Sequence, residues 1–173
     1  PTECGTVFRK KMSSSQDSEI VNLLKNAGAI IMGKTVTCEL AYIHPSKTTN
    51  PHDYSRTPGG SSSGSAAVVA SHMAHLSIGS QTGGSVIRPA SYCGVVGYKP
   101  SYGLISRSGV LKTSEKLDTI GVFGKTVKDV ALLAKSLIKK DLYDPSTIHF
   151  AADDMLKVCD EGPPFEPKFI FYK

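Results

Sequence analysis

Two glycine-rich segments constrain the fold of this 173-residue chain more than any other feature. They occupy residues 59–65 and 82–85, and each combines glycine with serine or threonine. Because glycine adopts backbone conformations that are closed to other residues, both segments are predicted to be tight turns. Between them, residues 66–74 have the small side chains of a closely packed helix, and residues 76–79 are typical of a strand that leads into the second turn.

Four further segments carry secondary-structure signals. Residues 15–28 predict a helix, because their apolar residues follow the helical period and a glycine favours the end. Residues 29–32 are a continuous apolar run between glycines and predict a short buried strand. A helix is predicted from Thr126, which resembles a capping box together with Asp129. Residues 168–172 predict a final strand.

The order of these segments indicates the fold class. Residues 45–64 are rich in Pro, Ser, Thr and Gly and are predicted to be loop. Elsewhere the predicted strands alternate with predicted helices, which favours an α/β fold. We expect a mixed β-sheet flanked by helices, in a single domain over residues 1–173.

Composition restricts the classes of function. The chain is 40% hydrophobic and 20% charged, with a net charge of +5, which is typical of a globular domain. Its basic residues are spread out and lack interleaved aromatic residues, so nucleic-acid binding is not favoured. No apolar run approaches the roughly 20 residues that span a bilayer, so no membrane partner is expected. The four cysteines are scattered, which favours reduced thiols and a cytoplasmic protein.

Three short patterns suggest chemistry that their context argues against. Residues 28–35 match the phosphate-loop pattern G-x-x-x-x-G-K-[ST], but their four intervening residues are apolar and no convincing helix follows. Residues 60–64 match the G-x-S-x-G nucleophile elbow, but no strand precedes them. His72 and His75 lie three apart on a predicted helix, and two ligands are too few for a metal site, so no metal is expected.

A further interpretation uses both glycine-rich turns together. Gly83 and Gly84 allow the backbone N–H groups of residues 82–85 to converge on one point, as a developing oxyanion requires. Ser85 can then attack a carbonyl carbon held there, provided that a base removes its proton. Ser61 can relay that proton, but a hydroxyl is too weak a base to be its final acceptor. The alternative is that both turns are structural, with hydroxyls satisfying local backbone groups.

Three longer segments resemble the amidase signature. They read GGSSSGSAA at residues 59–67, GSQTGGSVIRPA at residues 79–90 and CGVVGYKPSYG at residues 93–103. The similarity extends from residue 17 to about residue 146. The resemblance implies that the α/β fold is a partial amidase-signature core.

The resemblance also implies a Ser–cis-Ser–Lys triad that hydrolyses amides without a metal or another cofactor. Ser85 corresponds to the nucleophile that accepts the acyl group, and Ser61 to the bridging serine, which follows a cis peptide bond in that family. The oxyanion hole corresponds to the backbone of Thr82, Gly83, Gly84 and Ser85.

The lysine of the triad has no match in the chain. In the family it lies further upstream of the bridging serine than the sixty residues that precede Ser61. Lys34 matches a different place in the family pattern, and Lys10 and Lys11 match none. We therefore expect a fragment, the central part of an amidase-signature domain without its N-terminal lysine segment and its C-terminal part.

Three departures from the family pattern bear on function. Gln81 replaces an Asp that is commoner in the amidotransferase branch, which favours the stand-alone amidase branch. Ser63 replaces a usual Gly and is expected to stiffen the first turn. Arg88 follows the nucleophile by three residues and is expected to bind the carboxylate of a small acidic substrate, or else to form a structural ion pair.

The resemblance therefore predicts an amidase that acts on a small-molecule amide through a serine acyl-enzyme. The first alternative is the A subunit of a glutamyl-tRNA amidotransferase, in which the released ammonia passes to a partner. The second is a non-catalytic fragment of the fold used for binding. The sequence is compatible with a homodimer.

Overall fold

A computed structural model describes residues 1–152 and 154–171 of the protein. Those residues form an α/β structure, so the predicted fold class is confirmed. Its helices are α1 (Glu19–Asn26), α2 (Ser63–Ala70), α3 (Ile87–Cys93), α4 (Val127–Leu137) and α5 (Met155–Val158). Its strands are β1 (Ser77–Gln81), β2 (Val96–Tyr98) and β3 (Thr119–Gly124). Short 3₁₀ turns lie at Val7–Arg9 and Glu39–Ala41.

The three strands form one sheet in the order β1-β3-β2. Central β3 is antiparallel to both neighbours, with Val122 opposite Ile78 of β1 and Phe123 opposite Gly97 of β2. Within the described residues the sheet is therefore antiparallel rather than mixed. All six residues of β3 are buried, so the sheet is covered on both faces.

β3 separates two apolar clusters, because successive side chains of a strand point to opposite faces. Ile120 and Val122 pack in a cluster with α1 and α4, whereas Phe123 packs with α2 and α3. Gly121 lies on the Phe123 face, where a Cβ atom would be 2.7 Å from Val86 Cγ2. The absence of a side chain at this position lets α3 approach the sheet closely.

Two predicted helices are confirmed with small changes in length. α1 lies inside the predicted range 15–28 and buries Ile20 and Leu23. α4 begins after Thr126, whose side chain accepts from Asp129 N while the Asp129 carboxylate accepts from Thr126 N. This arrangement is the predicted capping box, which satisfies two N–H groups that the first helical turn leaves unpaired.

Two predicted strands are wrong. Residues 29–32 have no regular secondary structure, and Ile30 and Met32 are 85% and 78% exposed. An apolar run becomes a strand only where another strand edge pairs with it, and no described strand pairs with this one. Residues 168–171 also have no regular structure, and Tyr172 lies outside the described residues.

α2 ends at Ala70, earlier than predicted, and His72 adopts a left-handed backbone conformation with φ of 59°. A helix cannot continue through that conformation. The prediction that His72 and His75 share one helix is therefore wrong. They line a cavity of about 140 Å³ together with Lys125 and Asp129.

Candidate active site

The fold joins the two glycine-rich turns. The first turn is shorter than predicted, because α2 already begins at Ser63 and only residues 59–62 lead into it, whereas the second turn connects the end of β1 to α3. Ser62 N donates a hydrogen bond to Ser85 O across the two turns, at 3.3 Å. The Ser62 hydroxyl also donates to Ser80 O and accepts from Ser80 N, both at 3.2 Å. Residues that are far apart in the sequence are thus held together at one site.

Small side chains allow α2 to lie close to β1. Ser65 Oγ donates to Ile78 O at 2.7 Å, and Ser77 Oγ donates to Ser65 O at 2.6 Å. These short hydroxyl contacts require the helix backbone to approach the strand, which larger side chains would prevent. The run of Ser and Ala residues in α2 therefore sets the position of the first turn relative to the second.

Ser61 is anchored through its backbone. The Gly60–Ser61 peptide bond is cis, and Ser61 is 2% exposed. Its carbonyl oxygen accepts from Cys38 N at 2.9 Å and from Thr37 Oγ1 at 3.0 Å. A Cβ atom at Gly60 would lie 2.5 Å from Cys38 Sγ, so a larger residue before Ser61 would require Cys38 to move.

Ser63 ties the first turn to the neighbouring loop. Its hydroxyl lies 2.7 Å from the Ser46 hydroxyl and donates to Val36 O at 3.4 Å. Gly64 N donates to the same Val36 O at 3.0 Å. The serine that replaces a usual glycine therefore adds links between α2 and two segments that precede it.

Ser85 lies at the more open side of the site. It is half-buried, while Thr82 and Gly83 are exposed. A Cβ atom at Gly83 would meet nothing within 4 Å. Within the described chain, no protein acceptor is recorded for the N–H groups of Gly83, Gly84 and Ser85. The second turn thus offers backbone donors and a hydroxyl on an accessible surface.

Gln81 contacts this turn from inside, a role that sequence reasoning missed. Gln81 is 8% exposed, and its Nε2 donates to Gly83 O at 3.0 Å. Its Oε1 accepts from Val86 N at 2.9 Å and from Ile87 N at 3.0 Å. The available signal was a polar side chain at the end of a buried strand, immediately before a glycine turn.

Asp118 contacts the same turn from the other side and was also missed. Its carboxylate accepts from the Thr82 hydroxyl and from the N–H groups of Thr113 and Ser114, at 2.6 and 2.8 Å. Burial alone would raise the pKa of Asp118, but these hydrogen bonds outweigh it and lower the pKa below its ordinary value. Asp118 is therefore held as a charged acceptor for Thr82.

A buried ion pair contacts the loop that carries Asp118. Arg107 and Asp144 are 3% and 1% exposed, with Nε and Oδ2 3.3 Å apart. Arg107 also donates to Glu115 O and Glu115 Oε1, at 2.8 and 3.1 Å. Glu115 belongs to the loop between Thr113 and Asp118, so this pair braces the loop that holds Thr82.

Arg88 lies beside the second turn. Its side chain is exposed, and a Cβ atom at Gly84 would be 2.9 Å from its guanidinium. None of the carboxylates that the structure describes forms an ion pair with Arg88. The structural ion pair considered from the sequence is therefore not formed within the described part of the chain.

Lys34 is exposed and contacts the N-terminal segment. Its ammonium donates to Thr2 Oγ1 at 2.8 Å. Over residues 1–152 and 154–171, the structure records no hydrogen bond from a lysine ammonium to Ser61 or Ser85. The recorded contact of Lys34 is therefore to Thr2 rather than to either serine.

The structure bears on three other classes of site. Among the described residues, no group of three or more His, Cys, Asp or Glu side chains is placed to hold a metal ion. In the same part of the chain, no helix has the length and apolar character needed to cross a bilayer. All four cysteines are free.

Known proteins are similar to this chain in sequence and in fold. The sequence model of the Amidase family matches residues 1–160. The chain is 43% identical over 160 residues to the A subunit of glutamyl-tRNA(Gln) amidotransferase from Gloeothece citriformis, covering 89% of this chain and 33% of that protein. It is 44% identical over 168 residues to the same-named protein of Alkaliphilus metalliredigens, covering 93% and 34%.

Two solved structures are also similar to this chain in fold and in sequence. The corresponding amidotransferase protein of Thermotoga maritima matches with a TM-score of 0.82 and 41% identity, over 87% of this chain and 34% of that one. The native peptide amidase of Stenotrophomonas maltophilia matches with a TM-score of 0.83 and 32% identity, over 90% and 35%. The chain spans about a third of the length of these relatives.

Proposed function

The chain belongs to the amidase family, and from this premise we propose that it carries the serine core of an enzyme that hydrolyses a carboxylic amide. The observation that carries the proposal is the hydrogen bond from Ser62 N to Ser85 O. It joins the turn of buried Ser61 to the turn of half-buried Ser85. Serine-based amide cleavage requires a nucleophilic hydroxyl whose proton is removed by a neighbouring group, and this bond brings the segments of the two serines together.

In the proposed reaction Ser85 Oγ attacks the carbonyl carbon of the amide. A C–O bond forms, and the π electrons of the carbonyl move to its oxygen. The Ser85 proton passes to the Ser61 hydroxyl, which gives up its own proton to a base. The same relay returns a proton to the nitrogen, the C–N bond breaks, and ammonia or an amine leaves. Water then attacks the acyl carbon of the ester, the bond from that carbon to Ser85 Oγ breaks, a proton from the water returns to Ser85 through the relay, and the acid is released.

The developing oxyanion is proposed to bind the backbone N–H groups of Thr82, Gly83, Gly84 and Ser85. Support comes from the N–H groups of Gly83, Gly84 and Ser85, for which the described residues provide no recorded acceptor. Donors fixed before the reaction stabilise the transition state more than donors that must reorient. No metal or cofactor is part of this proposal.

The proposal assigns Ser61 the proton relay and does not make it the final base. The family resemblance gives the role of base to a lysine, and a serine hydroxyl is too weakly basic to fill it. Lys34 is not assigned this role, because it matches a different place in the family pattern and its recorded contact is to Thr2. The proposed roles in this chain are therefore those of the two serines and the backbone of the second turn.

Arg88 is proposed to bind a carboxylate on a small-molecule amide substrate. Its guanidinium is exposed, lies beside Gly84 and has no carboxylate partner among the described residues. A planar guanidinium binds carboxylates through paired hydrogen bonds.

The proposal also includes a cytoplasmic location and a homodimer. The cytoplasmic location is proposed because all four cysteines are free.

The test is labelling with a fluorophosphonate, which reacts with activated serine hydroxyls, and it is made on protein that includes the lysine base implied by the family resemblance. Intact-mass and peptide analysis should find one adduct, on Ser85. Ser85→Ala should abolish it, and Ser61→Ala should slow it by about 10²- to 10⁴-fold, the usual effect of a proton-transfer group. Ser13→Ala, at an exposed serine without recorded side-chain contacts, is the matched control and should label normally. No adduct, or an adduct elsewhere, would refute the proposal and favour the non-catalytic alternative.

A second candidate is the A subunit of a glutamyl-tRNA amidotransferase. It is favoured by relatives of that name at 43% and 44% identity, against 32% for the peptide amidase. Gln81, in place of the Asp expected for that branch, argues against it. If the candidate is right, the protein should purify in a stable complex, and its partners should stimulate ammonia release from glutamine. Equal release by the protein alone would exclude it.

A further inference from the structure

The middle of the second turn has few contacts that hold its conformation. It contains Gly83 and Gly84, which lose more conformational freedom on folding than other residues do. A Cβ atom at Gly83 would meet nothing within 4 Å, so no neighbouring atom packs against that side of the turn. A turn of this kind samples several conformations unless specific hydrogen bonds select one. The side chains that make those bonds therefore decide where its N–H groups are held.

Gln81 makes three such bonds, and they flank Ser85. On one side of the serine, Gln81 Nε2 donates to Gly83 O at 3.0 Å. On the other side, Gln81 Oε1 accepts from Val86 N at 2.9 Å and Ile87 N at 3.0 Å. One side-chain amide thus spans the turn from the residue before Gly84 to the start of α3.

The position of Gln81 makes this contact rigid. It is the last residue of β1 and pairs with Thr119 of the buried strand β3. Its side chain is 8% exposed, so water competes little for its hydrogen bonds. The amide therefore connects the glycine-rich turn to the most buried strand of the sheet.

The bonds also divide the backbone donors into two sets. Val86 N and Ile87 N are occupied by Gln81 Oε1. The N–H groups of Gly83, Gly84 and Ser85 have no recorded acceptor within the described chain. The side chain thus leaves the donors of the turn available while it uses those of the helix.

We propose that Gln81 is a positioning residue that fixes the turn at residues 82–85 and thereby sets the placement of its backbone donors around Ser85. It acts through Gly83, Val86 and Ile87 and does not itself touch the reacting atoms. The role in catalysis rests on the proposed function of Ser85, whereas the clamping of the turn does not. The amide is needed both as a donor and as an acceptor. The carboxylate of Gln81→Glu has the same shape and should keep the bonds from Val86 N and Ile87 N, but it should lose the bond to Gly83 O.

The first arm of the test measures the clamp without activity. Amide hydrogen exchange of the full chain is followed by NMR for Val86 and Ile87 in wild type, Gln81→Leu and Gln81→Glu. In Gln81→Leu both amides should exchange at least ten times faster, because their acceptor is gone. In Gln81→Glu they should stay protected, because a carboxylate oxygen still accepts. Unchanged exchange in Gln81→Leu would overturn the clamp.

The second arm measures placement of the donors. The rate of fluorophosphonate labelling at Ser85 should fall by about 10²-fold in Gln81→Leu, comparable to the loss of an oxyanion donor. Gln81→Glu should also be slowed although its Val86 and Ile87 amides stay protected, because its carboxylate cannot donate to Gly83 O. Gln16→Leu is the matched control, because Gln16 is the other glutamine of the chain and is exposed. It should be labelled at the wild-type rate.

The two arms separate the possible failures. Normal labelling in Gln81→Leu with faster exchange would overturn the positioning role while the clamp stands. An unlabelled wild type with slow exchange that becomes fast in Gln81→Leu would reject the proposed function and retain the clamp. Circular dichroism of each variant confirms folding, and Gln81→Glu keeps the test decisive should Gln81→Leu fail to fold.

Discussion

Replacing Asp144 by asparagine removes the charge that compensates buried Arg107. Burial by itself would raise the pKa of Asp144, but hydrogen bonds from Ser146 and Arg107 lower it from 3.8 to about 2. Each pKa unit corresponds to about 1.4 kcal/mol, so the ionised carboxylate contributes about 2 kcal/mol to the free energy of unfolding at neutral pH. Removing one partner of a buried pair also leaves an uncompensated charge, and such changes cost about 3–5 kcal/mol.

We expect Asp144→Asn to lower the free energy of unfolding by about 3 kcal/mol at pH 7, measured by urea denaturation. The pH dependence has a definite sign. Because the folded-state pKa is lowered, the stabilisation is complete well above pH 3.8 and is lost as the pH falls toward 2. The difference between wild type and variant should therefore shrink by about 1 kcal/mol between pH 7 and pH 3.

The control is Asp17→Asn, which removes an exposed ion pair with Lys25. Exposed pairs contribute about 0–1 kcal/mol, so this variant should lose at most that amount. A loss below about 1 kcal/mol in Asp144→Asn, or a loss that is the same at pH 7 and pH 3, would refute the reasoning. Either result would mean that the charge of Asp144 does not stabilise the fold.

Two further predictions test the site and the core. Arg88→Met should raise KM at least tenfold for an amide that carries a free carboxylate, because Arg88 is proposed to bind that carboxylate. The KM for a neutral amide should not change. Equal changes in KM for both substrates would count against the role. Gly121→Ala should cost about 1–3 kcal/mol in urea denaturation, because its Cβ would lie 2.7 Å from Val86 Cγ2. Gly33→Ala, where a Cβ meets nothing within 4 Å, is the control, and an equal loss there would contradict the packing argument.

The local signals in the sequence predicted those elements that depend on neighbouring residues. The capping box at Thr126 forms as expected, because its two residues lie within one helical turn. α3 was missed, although it begins directly after the second turn and carries Pro89 in its first turn, where proline is tolerated. Residues 29–32 were predicted wrongly because a strand needs a partner edge, which no local pattern reports.

The family and the two turns could be identified from the sequence alone, because glycines and serines in a long ordered pattern carry that information without reference to the fold. The contacts that hold the second turn depend instead on tertiary packing. Thr82 meets Asp118, which lies 36 positions away, and Arg107 meets Asp144, which lies 37 positions away. The physical reason is that a polar side chain can satisfy its hydrogen bonds with many partners, and only packing of the sheet and helices selects which partner is within reach.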